Sequence, residues 1–149
     1  ELSPLAVQAF FAEAGLQPAV STDTDGIHHR AGHLDLVQGD VLFKQGAMDR
    51  TLYFVASGSL SVHFEDAESR IRLAIVGAGS VVGEGSFFTA MPRSATVQAG
   101  SACVLWSLSP MRFTEMTHRK PELALAVAMG AGAVVAKRLV HSRYRVAVT

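Results

Sequence analysis

The centre of the chain is a succession of short apolar runs separated by turn formers. The runs cover residues 41–43, 52–55, 60–64, 71–76, 95–97 and 102–108, and Leu34 and Leu36 alternate with His33 and Asp35 just before them. Between the runs lie Gln38-Gly39-Asp40, Gln45-Gly46, Ser57-Gly58, residues 65–70, residues 77–79 and Gly100-Ser101. Many short strands at spacings of about ten residues predict an all-β sandwich or barrel. Alternation is cleanest where Leu60, Val62 and Phe64 oppose Ser61 and His63, which predicts one exposed face there.

Both ends carry a helical pattern. Ser3-Pro4 is a cap followed by proline at the first helical position, Val7, Phe10, Phe11 and Ala14 follow at helical spacing, and Gly15 is a stop. Residues 17–32 are polar and irregular and read as a loop. Ser109-Pro110 repeats the cap signal, with Phe113 and Met116 as a short apolar face. Pro121 opens a longer helix to about residue 138, in which Ala124, Ala128, Gly132 and Ala136 form a ridge of small residues that could seat a second copy. Gly130 and Gly132 each cost about 1 kcal/mol relative to alanine, so packing must hold this helix. The expected organisation is one mainly β domain over 1–149: N-terminal helix and loop about 3–32, barrel about 33–108, and C-terminal helices about 110–142.

Composition narrows the function classes. Of 149 residues 49% are hydrophobic, enough for a core without staples, and one domain is the natural reading of that length. Lys+Arg and Asp+Glu balance at 13 each, which argues against a chain whose main work is gripping nucleic acid. The lone Cys103 lies in an apolar run and suits a reducing, cytoplasmic setting as a buried small hydrophobe. Residue 1 is Glu and no signal-peptide pattern follows, so a trimmed piece of a longer protein is expected. Residues 123–136 carry no charge, but these fourteen residues fall short of the about 20 that a membrane span needs.

The stretch with chemistry is Val82-Gly83-Glu84-Gly85-Ser86-Phe87-Phe88, followed by Pro92-Arg93-Ser94-Ala95-Thr96-Val97. Two glycines around a glutamate let backbone approach a ligand, and the residues after them can open a helix whose first amides favour a phosphate. The planar fork of Arg93 suits a pair of phosphate oxygens, and Ser94 can donate another bond. Glu84 cannot hold an anion; a sugar hydroxyl is its natural donor. The plainer alternative is a glycine-rich turn with Glu84 and Arg93 as a surface ion pair worth about 0–1 kcal/mol.

Taken together, these residues resemble the phosphate-binding cassette of cyclic-nucleotide-binding domains: Gly-Glu, a few small or apolar residues, a loop, then Arg-Ser/Thr-Ala-Thr/Ser-Val. The segments 39–46 and 52–60 resemble two upstream motifs of that family, and 77–84 resembles the approach to its cassette. The resemblance spans roughly residues 35–140. It implies a jelly-roll β-barrel whose last helix closes over the ligand as a lid. It further implies a site of Val82, Gly83, Glu84, Gly85, Ser86, Arg93, Ser94 and Ala95. Glu84 would accept from the ribose 2′-hydroxyl, Arg93 would pair with the cyclic phosphate, and Gly85 and Ser86 would offer amides. The ligand it implies is a cyclic nucleotide, cyclic AMP ahead of cyclic GMP, with no further cofactor.

Other chemistry fits less well. Asp23 and Asp25 before Gly26 fail as a calcium loop, because Ile27 and Leu34 stand where ligands are needed. His28, His29 and His33 lack partners at metal-site spacing and read as solvated loop residues. Ser86 and Ser94 have no adjacent base, so no catalytic residue is expected. Lys137, Arg138, Arg143 and Arg145 read as a basic helix end and tail. Two settings stay open for the sensor: half of a catabolite-activator-type transcription regulator lacking its DNA-binding part, or a cytoplasmic domain of a transporter or channel. In either, an attached or partner effector reads out ligand occupancy. The chain alone is expected to bind no nucleic acid and to hold no membrane span.

Overall fold

The computed structural model describes residues 20–22, 28–30 and 33–148. The expected N-terminal helix lies outside them. Among the described residues ten strands fall into two antiparallel sheets. The first has six strands in the order β1 (Val20–Thr22), β2 (His28–Arg30), β3 (His33–Leu36), β10 (Cys103–Leu108), β5 (Leu52–Ser57) and β8 (Val81–Val82). The second has four: β4 (Val41–Phe43), β9 (Thr96–Ala99), β6 (Leu60–Glu65) and β7 (Arg70–Val76). Helix α1 (Glu84–Thr89) interrupts the strands, and α2 (Pro110–Arg119) and α3 (Pro121–Val148) follow them. This is the jelly-roll-like, β-rich architecture expected, except that among the described residues no strand pair joins the sheets, so the barrel is not closed.

The region read as a loop before Gly32 holds two strands instead. Their apolar pattern is nearly absent, because their order comes from backbone pairing: β2 lies against β3 through His28↔Asp35 and Arg30↔His33, and β1 continues the meander. The backbone of His28 and His29 therefore belongs to a strand. His63 is buried although the alternation places it with Ser61; its ring sits between the Ser61 hydroxyl at 3.4 Å and the Glu65 carboxylate at 3.5 Å.

In the six-stranded sheet β5, β8 and the end of β10 are covered on both faces. Tyr53, Val55, Leu34, Leu36, Cys103 and Leu105 face Leu60, Val76, Val97 and Ala99 across the sandwich. Leu52, Phe54, Val81 and Leu108 point the other way and pack with Phe87, Met116 and the inner side of α3. Double coverage explains why 52–55 is a continuous apolar run rather than an alternating one.

Ser109 caps α2 by accepting from the Arg112 amide at 3.2 Å, and Pro110 fills the first position, as the sequence predicts. The buried side of α3 is Leu123, Ala124, Val127, Ala131 and Val134. The expected small-residue ridge does not stay on one side: Ala124 is buried, Ala128 half-buried, and Gly132 and Ala136 exposed. A step of four residues overshoots a helical turn by about 40°, so such a ridge winds around the helix. By length and composition Pro121–Val140 could cross a membrane, and its inner residues here serve the core.

Candidate functional site

Strand β8 ends at Gly83, whose φ of +82° turns the chain into α1. Glycine is required here twice over. A left-handed conformation strains other residues, and a Cβ would lie 2.5 Å from Arg93 Nη1 and 2.7 Å from the Thr51 carbonyl oxygen. Gly85, by contrast, has open space around it.

Arg93 is seated inside this turn and is only 2% exposed. Nη1 donates to the Gly83 carbonyl at 3.0 Å, while Nη2 donates to the Thr51 carbonyl and to Asp49 Oδ2, both at 2.7 Å. The guanidinium lies 4.0 Å from the Phe43 ring centroid, and Phe43 in turn stacks on Tyr53. Only Nε is left without a hydrogen-bond partner among the described residues. The backbone is strapped down as well: Arg93 and the 46–47 turn exchange Gly46 N–H to Arg93 O (2.7 Å) and Arg93 N–H to Ala47 O (2.8 Å). The sequence thus brings Gly83 and Arg93 together as expected, but the surface ion pair with Glu84 does not form. Arg93 pairs with Asp49 and Glu84 pairs with Arg138, at 2.8 Å.

Asp49 completes the arginine's seat. Its Oδ1 accepts from the Thr51 amide (3.1 Å) and hydroxyl (2.8 Å), which leaves Oδ2 aimed at Arg93. Burial by itself raises the Asp49 carboxyl, but the hydrogen bonds from Arg93 and Thr51 outweigh it and hold the group below its usual 3.8. A depressed carboxyl contributes stability that is complete above the unfolded value and lost as the pH falls through the folded one. We therefore expect the chain to lose stability on acidification below about pH 4, and Asp49→Asn to flatten that slope. Urea midpoints at pH 3, 5 and 7 check this; equal slopes in both proteins would contradict it. Burial, then the Asp49 charge, push the Tyr53 phenol up to about 12, so it stays neutral beside the pair.

Helix α1 is held at both ends. Arg50 donates to the Ser86 and Phe87 carbonyls at 3.3 and 3.2 Å. Phe87 is buried and meets Phe113 of α2 edge-on at 5.5 Å between centroids. Ser86, Ala95 and Val82 are buried, whereas Gly85 and Ser94 are exposed beside the turn.

Arg138 corrects an expectation. It is not at a helix end, because α3 continues to Val148. Its side chain reaches back to Glu84, to the Ser80 hydroxyl and to the Val81 carbonyl. Sequence reasoning also missed Asp49, Arg50 and Thr51, which fall between the two upstream motifs. The available signal was physical: a buried arginine demands a carboxylate and carbonyls from elsewhere in the fold.

Known proteins resemble the chain in sequence and in fold. The family model described as "Cyclic nucleotide-binding domain" matches residues 34–120. Patatin-like phospholipase domain-containing protein 7 of Rattus norvegicus is 31% identical over 101 residues, covering 66% of this chain and 8% of that protein. The cAMP-activated global transcriptional regulator CRP of Escherichia coli O157:H7 is 31% identical over 100 residues, covering 66% of this chain and 46% of the regulator. The chain therefore spans less than half the length of these curated relatives. A solved cyclic nucleotide-binding domain from Methylobacillus flagellatus has the same fold, with a TM-score of 0.72, 20% identity, and coverage of 92% of this chain and 80% of that one. The match runs over more than half of the chain and takes in the Gly83–Glu84 turn together with Arg93; the chain belongs to the cyclic nucleotide-binding domain family.

Proposed function

We propose that this chain is a regulatory sensor that binds a cyclic nucleoside monophosphate at the β8–α1 turn and does no chemistry on it. The observation that carries this reading is the packing of Arg93 into the Gly83–Glu84 turn at the start of α1. The first amides of a helix have no partner within it, so Gly85 and Ser86 can offer theirs to a phosphate. Arg93 adds a fixed positive charge behind that turn. Glu84 accepts from a ribose hydroxyl, and exposed Ser94 donates to the phosphate or meets the base. Cyclic AMP is the favoured ligand over cyclic GMP, in keeping with the cAMP-activated regulator of E. coli that the chain resembles.

Occupancy is passed on through α3, and an attached or partner module on the cytoplasmic side reads it. Ligand can shift α3 only by its differential affinity for the two helix positions.

Calorimetric titration tests the site. Cyclic AMP should bind saturably and 5′-AMP weakly, with Ser94→Ala lowering affinity by about tenfold, the range of one lost polar contact, and Glu84→Gln doing the same when compared in an Arg138→Ala background, where Glu84 has no ion pair to lose. No saturable binding of either cyclic nucleotide, or binding indifferent to both substitutions, would sink the assignment.

A further inference from the structure

Glu84 is the acceptor that the proposed ligand needs, and its carboxylate is already engaged. Arg138 Nη1 donates to Glu84 Oε1 at 2.8 Å, while Nη2 donates to the Ser80 hydroxyl at 2.5 Å and to the Val81 carbonyl. One side chain from α3 therefore clasps the approach to β8, β8 itself and the first residue of α1. The two side chains keep 23% and 34% of their exposure, so the clasp lies at the rim of the site, where a solute can reach it. A charge-assisted, forked contact of this kind is stronger than a fully solvated ion pair.

The clasp also decides how far α3 is fastened. Among the residues of this helix whose burial is described, 121–140, the last buried apolar one is Val134, one turn before Arg138. Lys137, Leu139 and Val140 are exposed, so over residues 137–140 Arg138 is the side chain that ties the helix to the sheet. Glycines at 130 and 132 weaken the helix just before this point.

We infer that Arg138 is an internal competitor for the ribose acceptor: it occupies Glu84 in the free chain, and a ligand hydroxyl that takes Glu84 displaces it and unfastens α3. This rests on the reading of Glu84 as a ligand acceptor. The apparent dissociation constant is then the intrinsic one divided by the unclasped fraction. A clasp closed about nine times in ten weakens binding about tenfold. The contrary arrangement, in which Arg138 stays in place and the hydroxyl shares Glu84, makes Arg138 a helper whose loss weakens binding.

Arg138→Ala and Arg138→Met separate the two, the second keeping an apolar stem of similar length. In the ligand-free chain, amide hydrogen exchange in α3 beyond Val134 should quicken by about tenfold in both variants. In titrations, both should bind cyclic AMP about tenfold more tightly than the unaltered chain. Unchanged exchange, or affinity that is equal or weaker in the variants, overturns the competition. If neither the unaltered chain nor the variants bind cyclic AMP, the ligand reading fails and takes the competition with it. If all bind but the variants gain nothing, the ligand reading stands and only the competition falls.

Discussion

Arg93→Ala is expected to destabilise the chain by about 3–5 kcal/mol, besides removing the cation that the proposed phosphate needs. The Asp49 side chain is 44% exposed and can be rehydrated, so the cost comes from the buried arginine itself: two carbonyls lose their donor, at about 1–3 kcal/mol each, and the vacated space adds to it. Here the loss leaves the Asp49 carboxylate without its 2.7 Å partner and uncovers the Gly83 and Thr51 carbonyls. It also empties the space above the Phe43 ring. Arg93→Lys keeps the charge, but one ammonium cannot reproduce a planar fork serving three oxygens, so an intermediate loss is expected. Urea unfolding of the three proteins checks the order. A stable, fully folded Arg93→Ala protein would show that the arginine is dispensable to the fold. Because stability and binding share this residue, a binding defect in Arg93→Ala speaks to the site only where the variant is shown to be folded.

Gly83→Ala should cost about 2–4 kcal/mol, whereas Gly85→Ala, two residues on, should be neutral or stabilising. The left-handed backbone at Gly83 accounts for about 1–2 kcal/mol. The remainder is steric: the new methyl group meets the Thr51 carbonyl at 2.7 Å, a backbone atom held by its own bond to Arg93, and the Arg93 Nη1 at 2.5 Å. Gly85 has nothing within 4 Å of an added Cβ and sits inside α1, where alanine is the better helix former by about 1 kcal/mol. Equal unfolding midpoints for the two variants would contradict the packing of Arg93 against this turn. Cyclic AMP affinity should follow the same division, falling in Gly83→Ala and persisting in Gly85→Ala.

Most of the sandwich could be read from the order of short apolar runs and turn residues, since each run buries a side and each turn needs its glycine or polar residue. Strands β1 and β2 could not, because residues such as Ser21, Thr22, His28 and His29 carry no apolar period and are ordered by pairing with a neighbour. The cassette residues were legible because Gly83, Glu84 and Arg93 belong to one short stretch with a recognisable spacing. Their partners were not, because Asp49 and Arg138 lie 44 and 45 residues from Arg93 and only the fold brings them near. The small-residue ridge on α3 does not keep to one face for a geometric reason: a step of four residues is more than a whole turn.

The double coverage of β5 has a further consequence. Along β5, Leu52 and Phe54 belong to the helical side while Tyr53 and Val55 belong to the sandwich interior. A rearrangement of α3 would thus press on every second residue of that strand and leave those between them in a separately packed environment. The sheet acts as a bulkhead: one compartment can be refitted while the seat of Arg93, braced by Phe43 and Tyr53 on the far side, keeps its shape.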